Sequence, residues 1–270
     1  MVVIGLGTAG ANIARCFEKW SQYRVVTIEA GKEMPVQETV EAYEENCPRL
    51  KRKIKKIEGE VWFFVAGSAK TAGASLAILE QIKEHTINVV HIGADEMYLS
   101  QKAKMRERVT MGVLQEYARS GLLKSIYLVS NKHVLDMLGG VPFSEAFSSI
   151  NDAVASMVHY INIYENTEPL MGNKMEPHNI SRIRAFGMVD LKKNEEKLYF
   201  PLDNSTETCY IYNINETEMS NDEKIDKIKQ LMEVKQKLCK TSFVMYTTKF
   251  DQSFCHTINL THFIQQKEKI

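Results

Sequence analysis

Gly5, Gly7 and Gly10 follow the apolar run Val2, Val3, Ile4 with the spacing G-x-G-x-x-G, in a chain of 270 residues. Glycines so placed let the backbone turn sharply and approach a phosphate, and a helix that follows supplies unpaired N–H groups and the positive end of its dipole. Thr8, Ala11 and Asn12 complete the loop. Glu29 ends the next apolar run (Val25, Val26, Ile28) at about the distance of an acid that hydrogen-bonds a ribose, so these residues alone spell a dinucleotide fingerprint.

A second loop of small residues, 66–75, carries Gly67, Lys70, Thr71 and Gly73 into a helical stretch. Such residues serve close strand–helix packing as readily as phosphate binding; Lys70 favours phosphate. The loop is no Walker motif, because the second glycine followed by Lys-Ser/Thr is missing. The third constellation is Ser130-Asn131-Lys132 with Phe147, Asn151 and Asp152. Phe147 taken alone reads as core. Four residues before Asn151, though, it shares a helix face with that residue, where an aromatic ring can stack on a base while an amide or carboxylate hydrogen-bonds the edge of guanine.

The elements that position these residues alternate. Short apolar runs at 2–4, 24–28, 61–66, 88–92 and 125–129 read as strands, and 12–20, a stretch within 40–57, 72–84, 99–120 and 132–138 read as helices. Strands separated by helices imply a doubly wound, mostly parallel sheet that binds ligands at its strand ends. A long core helix follows at about 144–163, with Ile150, Val154, Met157, Val158 and Ile161 at helical spacing. Past Thr167 the rhythm changes: strands at 183–191 and 198–202, then strand 209–214, helix 221–238 and strands 242–247 and 254–260 make a smaller α+β unit. The expected organisation is a nucleotide-binding domain over 1–165, a joint over 166–182 and a C-terminal domain over 183–270.

Composition sets the outer bounds. With 44% hydrophobic residues the chain can bury a core, and 34 Lys+Arg against 34 Asp+Glu give no charge excess that would name nucleic acid as the main partner. The basic run 49–56 reads as a solvated helix face. Five separated cysteines without a CxxC pair argue against a disulfide scaffold or zinc site and for a reducing cytoplasm. No apolar run is long enough to span a bilayer, and the first residues lack a signal peptide's basic start, so the first strand is expected to begin at once.

With all three constellations in view, the chain resembles the tubulin/FtsZ superfamily of GTP-binding, filament-forming proteins over almost its whole length. The most specific match is residues 125–140, then Ala146-Phe147 and Asn151-Asp152, similar to the strand, loop and core helix of FtsZ; the loop from Gly5 to Asn12 and Glu29-Ala30 resemble the family's first two nucleotide loops. The resemblance implies GTP or GDP as ligand, with Mg2+ allowed beside it. It implies that Gly5, Gly7, Gly10 and Ala11 line the phosphates, that Asn12, Asn151 and Asp152 read guanine, that Phe147 stacks on the base, and that Lys104 or Arg106 stands at a phosphate or ribose contact. It also implies head-to-tail self-assembly, with hydrolysis completed by acidic residues of the next subunit's loop; here Glu176 and Asn179 occupy the places of two aspartates. The family's GGGTGTG loop is reduced to residues 68–74, which keep Thr71 and Gly73. Two rivals stay open: a homologue that polymerises without hydrolysis, and an NAD-dependent oxidoreductase resting on Gly5, Gly7, Gly10 and Glu29. The second lacks a histidine paired with a carboxylate to do its chemistry.

Overall fold

The computed structural model describes residues 1–50, 59–218, 226 and 240–266, which form two compact units: Met1–Ala155 with the described end of the chain from Ile264, and Ser156–Phe263. The helix expected at 221–238 and the basic residues 51–56 lie outside the described residues, Asp226 excepted.

In the first unit the strands β1 (Val2–Leu6), β2 (Arg24–Ile28), β3 (Val61–Ala66), β4 (Ile87–Gly93) and β5 (Ser125–Ser130) lie in the order β2-β1-β3-β4-β5, all parallel. β1, β4 and β5 are buried throughout and β3 over Val61–Val65, which is why they read as unbroken apolar runs rather than alternating ones. From β1 the chain goes to β2 on one side and then to β3 on the other. The strand order therefore reverses between β1 and β3, and in open parallel sheets that point opens a crevice at the carboxyl ends of the strands.

The helices are α1 (Gly7–Arg15), α2 (Val40–Glu45), α3 (Ser75–Gln81), α4 (Gln101–Arg119), α5 (Asn131–Leu138) and α6 (Ala146–Asn166). α1 begins at Gly7, five residues before the expected start at 12. Gly7 has φ +69° and makes the whole turn by itself, so what reads as a loop is the first turn of a helix. Residues 72–84 likewise open as a 3-10 turn (Lys70–Ala74) before α3. Phe17 packs beside Phe64 of β3 at 5.6 Å between ring centroids, which pins the end of α1 to the sheet. At the other end of the chain Gln265 N donates to Gln115 Oε1 at 2.8 Å and Gln115 Nε2 donates to Gln265 O at 3.1 Å, a buried reciprocal pair on α4.

The second unit holds β6 (Met171–Gly172), β7 (Ile183–Asp190), β8 (Glu195–Leu198), β9 (Glu207–Asn215), β10 (Lys240–Thr248) and β11 (Phe254–Thr261), with β11 antiparallel to β7 and β9, β9 parallel to β10, and β8 antiparallel to the end of β7. β8 replaces the strand expected at 198–202. Asp190 Oδ1 accepts from the N–H groups of Lys192 and Lys193, and Asn194 adopts φ +56°; together they close a tight hairpin that starts the return strand early. The sheets and helices together give a mostly parallel α/β nucleotide-binding type of domain followed by a sheet domain, the class read from the sequence.

Candidate functional site

The crevice predicted by the strand order exists. A cavity of about 360 Å³ lies over the carboxyl ends of the parallel strands, lined by Thr8, Ala9, Ala30, Ala66, Ser68, Ala69, Thr71, Ile92, Ala94, Asn131 and Phe147. Its volume suits a small ligand of nucleotide size. The lining has hydroxyls, one amide and one aromatic ring, but no acidic side chain to repel an anion.

The three glycines of the first loop do different work. A Cβ on Gly5 would strike the carbonyl of Gly10, and one on Gly10 would strike the carbonyl of Phe64, so these two let α1 pack directly on β1 and β3. Ala11 is fully buried in the same contact. Gly5, Gly10 and Ala11 thus hold the helix in place, while the cavity wall is made by Thr8 and Ala9. Gly7 sits between the two loops: besides its left-handed φ, its Cα hydrogens face the Thr71 side chain, which makes Gly7 and Thr71 the point where the first and second loops touch.

The second loop is held from behind. Arg106 Nε donates to Ser68 O at 2.9 Å and Thr110 Oγ1 to Gly67 O at 3.4 Å, both from α4. Arg106 therefore shapes the loop rather than reaching into the cavity. Gly67 is obligatory for the same packing, since a Cβ there would meet the His91 ring and Glu107, both buried. Gly73 lies against the Val40 carbonyl at the start of α2. Lys70 is not in the cavity wall; its Nζ stands 3.8 Å from Glu38 Oε2 in an exposed pair of the kind that contributes little and is easily exchanged for another anion. Lys104 stands 3.8 Å from Glu96.

What the cavity offers an anion is backbone. The N-termini of α1, of the 3-10 turn Lys70–Ala74 and of α5 border it through Thr8 and Ala9, through Ala69 and Thr71, and through Asn131; none has a side-chain cap and none has an acidic residue in its first turn. Of the other helices in the unit, α2 is capped by Thr39 and α4 by Ser100, while α3, which continues the 3-10 turn, has no side-chain cap. First-turn N–H groups have no partner within the helix, so three uncapped ends leave donors aimed at one place, each adding the positive end of a dipole. Asn131 adds the opposite polarity, a buried Oδ1 with no hydrogen-bond donor to it among the described residues.

Phe147, on the first turn of α6, is 65% exposed while lining the cavity, which removes the core reading and leaves a ring face open for stacking. Asn151 and Asp152 lie one turn further along α6, and neither is in the cavity wall. Asp152 reaches the 3-10 turn Cys16–Lys19 that follows α1, where its Oδ1 accepts from Lys19 Nζ at 3.2 Å. Burial and then Asp152 push the Cys16 thiol pKa up. Asn12, exposed on α1, accepts from Arg15 at 2.9 Å. Asn12 and Asp152 both lie beside Cys16, whose Sγ donates to Asn12 O at 3.4 Å, and neither lines the cavity. Ile92 and Ala94, at the end of β4, are lining residues that motif reading missed; their only signal is position, directly at the end of a strand.

Glu29 behaves differently from a ribose-binding acid. It is 7% exposed and accepts from Arg15 and from Lys32 Nζ, the latter at 2.9 Å. Desolvation raises its pKa, but the two cations outweigh it and hold the carboxyl below the ordinary range. Both cations are held by the same oxygen, Oε1. Among the described residues no group of three or more His, Cys, Asp or Glu side chains could hold a metal ion, and no helix is long and apolar enough to cross a membrane.

Glu176 and Asn179 belong to the second unit, on the segment between β6 and β7. Its backbone is fixed: Met175 N donates to Tyr164 Oη at 2.8 Å, His178 N to Glu207 Oε1 at 3.2 Å, and Lys240 Nζ to Glu176 O at 2.9 Å. Glu207 is buried, which raises its pKa, yet bonds from Ser181, His178 and Lys240 hold it below the usual value. The side chains of Glu176 and Asn179 project into solvent from this fixed frame.

This architecture, a parallel nucleotide-type sheet with a long helix and a second sheet domain, is the tubulin/FtsZ-like fold. The chain is similar in structure to CetZ2 from Haloferax volcanii in a GTPγS-bound protofilament (TM-score 0.69, 13% identity, covering 96% of this chain and 92% of that one). It is also similar to an empty FtsZ dimer from M. jannaschii (TM-score 0.71, 12% identity, 96% and 87% covered) and to TubZ of Bacillus thuringiensis serovar israelensis in GDP-form protofilaments (0.66, 14%, 96% and 87%). No protein-family model matches the chain, and no curated protein matches it in sequence.

Proposed function

We propose that the protein binds guanine nucleotide in the first unit's cavity and assembles head to tail into filaments in which that nucleotide is hydrolysed. The observation that carries the reading is the convergence of three uncapped N-termini on one cavity without acidic side chains, at the switch point of a tubulin/FtsZ-like sheet. Phosphates are recognised by the first-turn N–H groups and by Thr8, Ser68 and Thr71; Lys70, loosely held by Glu38, can turn to them. The base stacks on Phe147, with Asn12, Asn151 and Asp152 as readers of its edge and Asn131 Oδ1 as an acceptor for a sugar hydroxyl. With no side-chain metal cluster among the described residues, Mg2+ would depend on phosphate oxygens and these hydroxyls for its ligands. A guanine rather than adenine ligand is supported by the nucleotides of the similar structures, GTPγS with CetZ2 and GDP with TubZ.

Hydrolysis needs a polarised water, and the cavity's own wall has no base to hold one. Glu176, exposed on a rigid segment of the second unit, is the group we assign to that task in the next subunit along, with Asn179 beside it as a hydrogen-bonding partner. A contact that joins different faces of successive copies does not close and grows into a filament. Phosphate release measured against protein concentration tests this: the rate per subunit rises once light scattering shows assembly, and Glu176→Gln lowers it about a hundredfold, a typical loss of a general base, with assembly intact. A rate that stays at background in well-formed filaments would remove hydrolysis and leave the non-hydrolysing filament. The dinucleotide reading is disfavoured by Glu29, whose carboxylate is already bonded to Arg15 and Lys32.

A further inference from the structure

Helix α4 carries a face that the first unit does not use. Met105 and Val109, one turn apart, are 69% and 59% exposed, and the next position on the same line is Gly112, whose missing Cβ would meet nothing within 4 Å among the described residues. A glycine in the middle of a 19-residue helix weakens it, by about 1 kcal/mol relative to alanine. Gly59, Gly139 and Gly140 of this unit also meet no neighbour but have a positive φ that favours glycine; Gly112 has neither a positive φ nor a contact among the described residues. An exposed apolar pair leading to an otherwise costly glycine is what a closely approaching second helix would need.

The charges on the same line say which helix. Positions 102, 105, 109, 112 and 116 follow the alternating three- and four-residue spacing of a coiled-coil seam: Lys102, Met105, Val109, Gly112, Glu116. Lys102 has no ion pair among the described residues, and Glu116 has only a 3.5 Å contact from Arg119 one turn away. When a second copy of α4 runs antiparallel with Val109 against its own equivalent, positions whose numbers sum to 218 stand opposite: Lys102 meets the copy's Glu116, and Met105 meets the copy's Val113 beside Gly112. One register thus matches opposite charges at both ends and sets Met105, Val109 and Val113 between them, with Arg106 opposite the side-chain-free Gly112, which is the self-complementarity a two-fold interface demands. We propose that α4 is a self-association surface, pairing two copies of the chain side by side through an antiparallel α4–α4 contact. The surface is separate from the head-to-tail contact above and needs no nucleotide, so it links chains, or filaments, laterally.

Sedimentation equilibrium of the full chain without nucleotide, where head-to-tail growth is off, tests the pairing without depending on the nucleotide site. Val109→Glu raises the dimer dissociation constant at least about tenfold, and Lys102→Glu or Glu116→Lys alone raises it by about fivefold through like-charge opposition. The double reversal Lys102→Glu/Glu116→Lys returns it to within about twofold of the native chain. Val109→Cys forms a covalent dimer under mild oxidation that the native chain does not form, whereas Met105→Cys does not, its equivalent lying about 12 Å away at 1.5 Å per residue. All five positions are exposed or point outward, and unchanged circular dichroism checks folding. A dimer indifferent to Val109→Glu, a double reversal no better than the single ones, or a native chain that remains monomeric with no Val109→Cys crosslink would each overturn the proposal; the last is the result expected if other residues of the same chain cover this face.

Discussion

The cavity of the first unit and the 173–182 segment of the second are built on opposite plans. Around the cavity the side chains are small and uncharged while the backbone is left wanting: α1, the turn at Lys70 and α5 begin without caps, although α2 and α4 of the same unit have them. In the 173–182 segment the backbone is satisfied by Tyr164, Glu207 and Lys240, and the side chains of Glu176 and Asn179 are left free. A surface that withholds side chains and offers N–H groups suits an anion. A surface that fixes its backbone and offers a carboxylate suits the delivery of that group to something else. Neither is a complete reaction site, and the difference is what motivates a reaction assembled between copies.

The contrast can be broken at its foundation in the first unit. Gly10→Ala drives a methyl into the Phe64 carbonyl, where backbone on both sides cannot give way; the expected loss is about 3 kcal/mol or more, read as a fall in the denaturant midpoint. An unchanged midpoint would mean that α1 does not lie as close to β3 as described, and the aim of its N-terminus would go with it. In the second unit the corresponding test is by pH. His256 is fully buried, accepts at Nδ1 from Asn213 at 3.2 Å, and burial pushes its pKa down to about 3. Its folded pKa lies below that of the unfolded chain, so the associated stability is whole above about pH 6.5 and is lost as pH falls from there toward 3, by up to about 1.4 kcal/mol per pH unit. His256→Phe should flatten that slope in urea unfolding at pH 7, 6 and 5; parallel slopes would show that the ring is charged or wet in the native protein. The smallest effect separates function from stability. Phe147→Ala, at a ring 65% exposed, changes the midpoint by less than about 0.5 kcal/mol but weakens nucleotide binding about tenfold, within the range for one stacked base. Equal binding by the two proteins would move the base elsewhere.

Most of the first unit was legible because buried parallel strands announce themselves as apolar runs; all five strands fall within about two residues of where periodicity puts them. The cavity's wall was harder. Glycine spacing pointed to the right loop, but Gly5 and Gly10 turned out to serve packing, and the wall residues Ala9, Ile92 and Ala94 have no chemistry to notice. They are identified by where a strand ends, which needs the sheet order. Glu29 shows the limit from the other side: its spacing matched a ribose acid, and only the three-dimensional arrangement reveals Arg15 and Lys32 upon it. β8 begins three residues and ends four residues before the strand expected at 198–202, because Asn194 tolerates a left-handed backbone and so permits a tighter turn than the apolar pattern suggested.

The central claim, that the uncapped N-termini around Thr8, Thr71 and Asn131 hold a guanine nucleotide, is tested most directly by denaturing the purified protein and chromatographing what it releases, with equilibrium dialysis of the emptied chain as the complement. The account predicts GTP or GDP, about one per chain, rebinding in competition with GTPγS but not with NAD. Release and rebinding of NAD, or failure of the folded chain to bind any nucleotide, would contradict it.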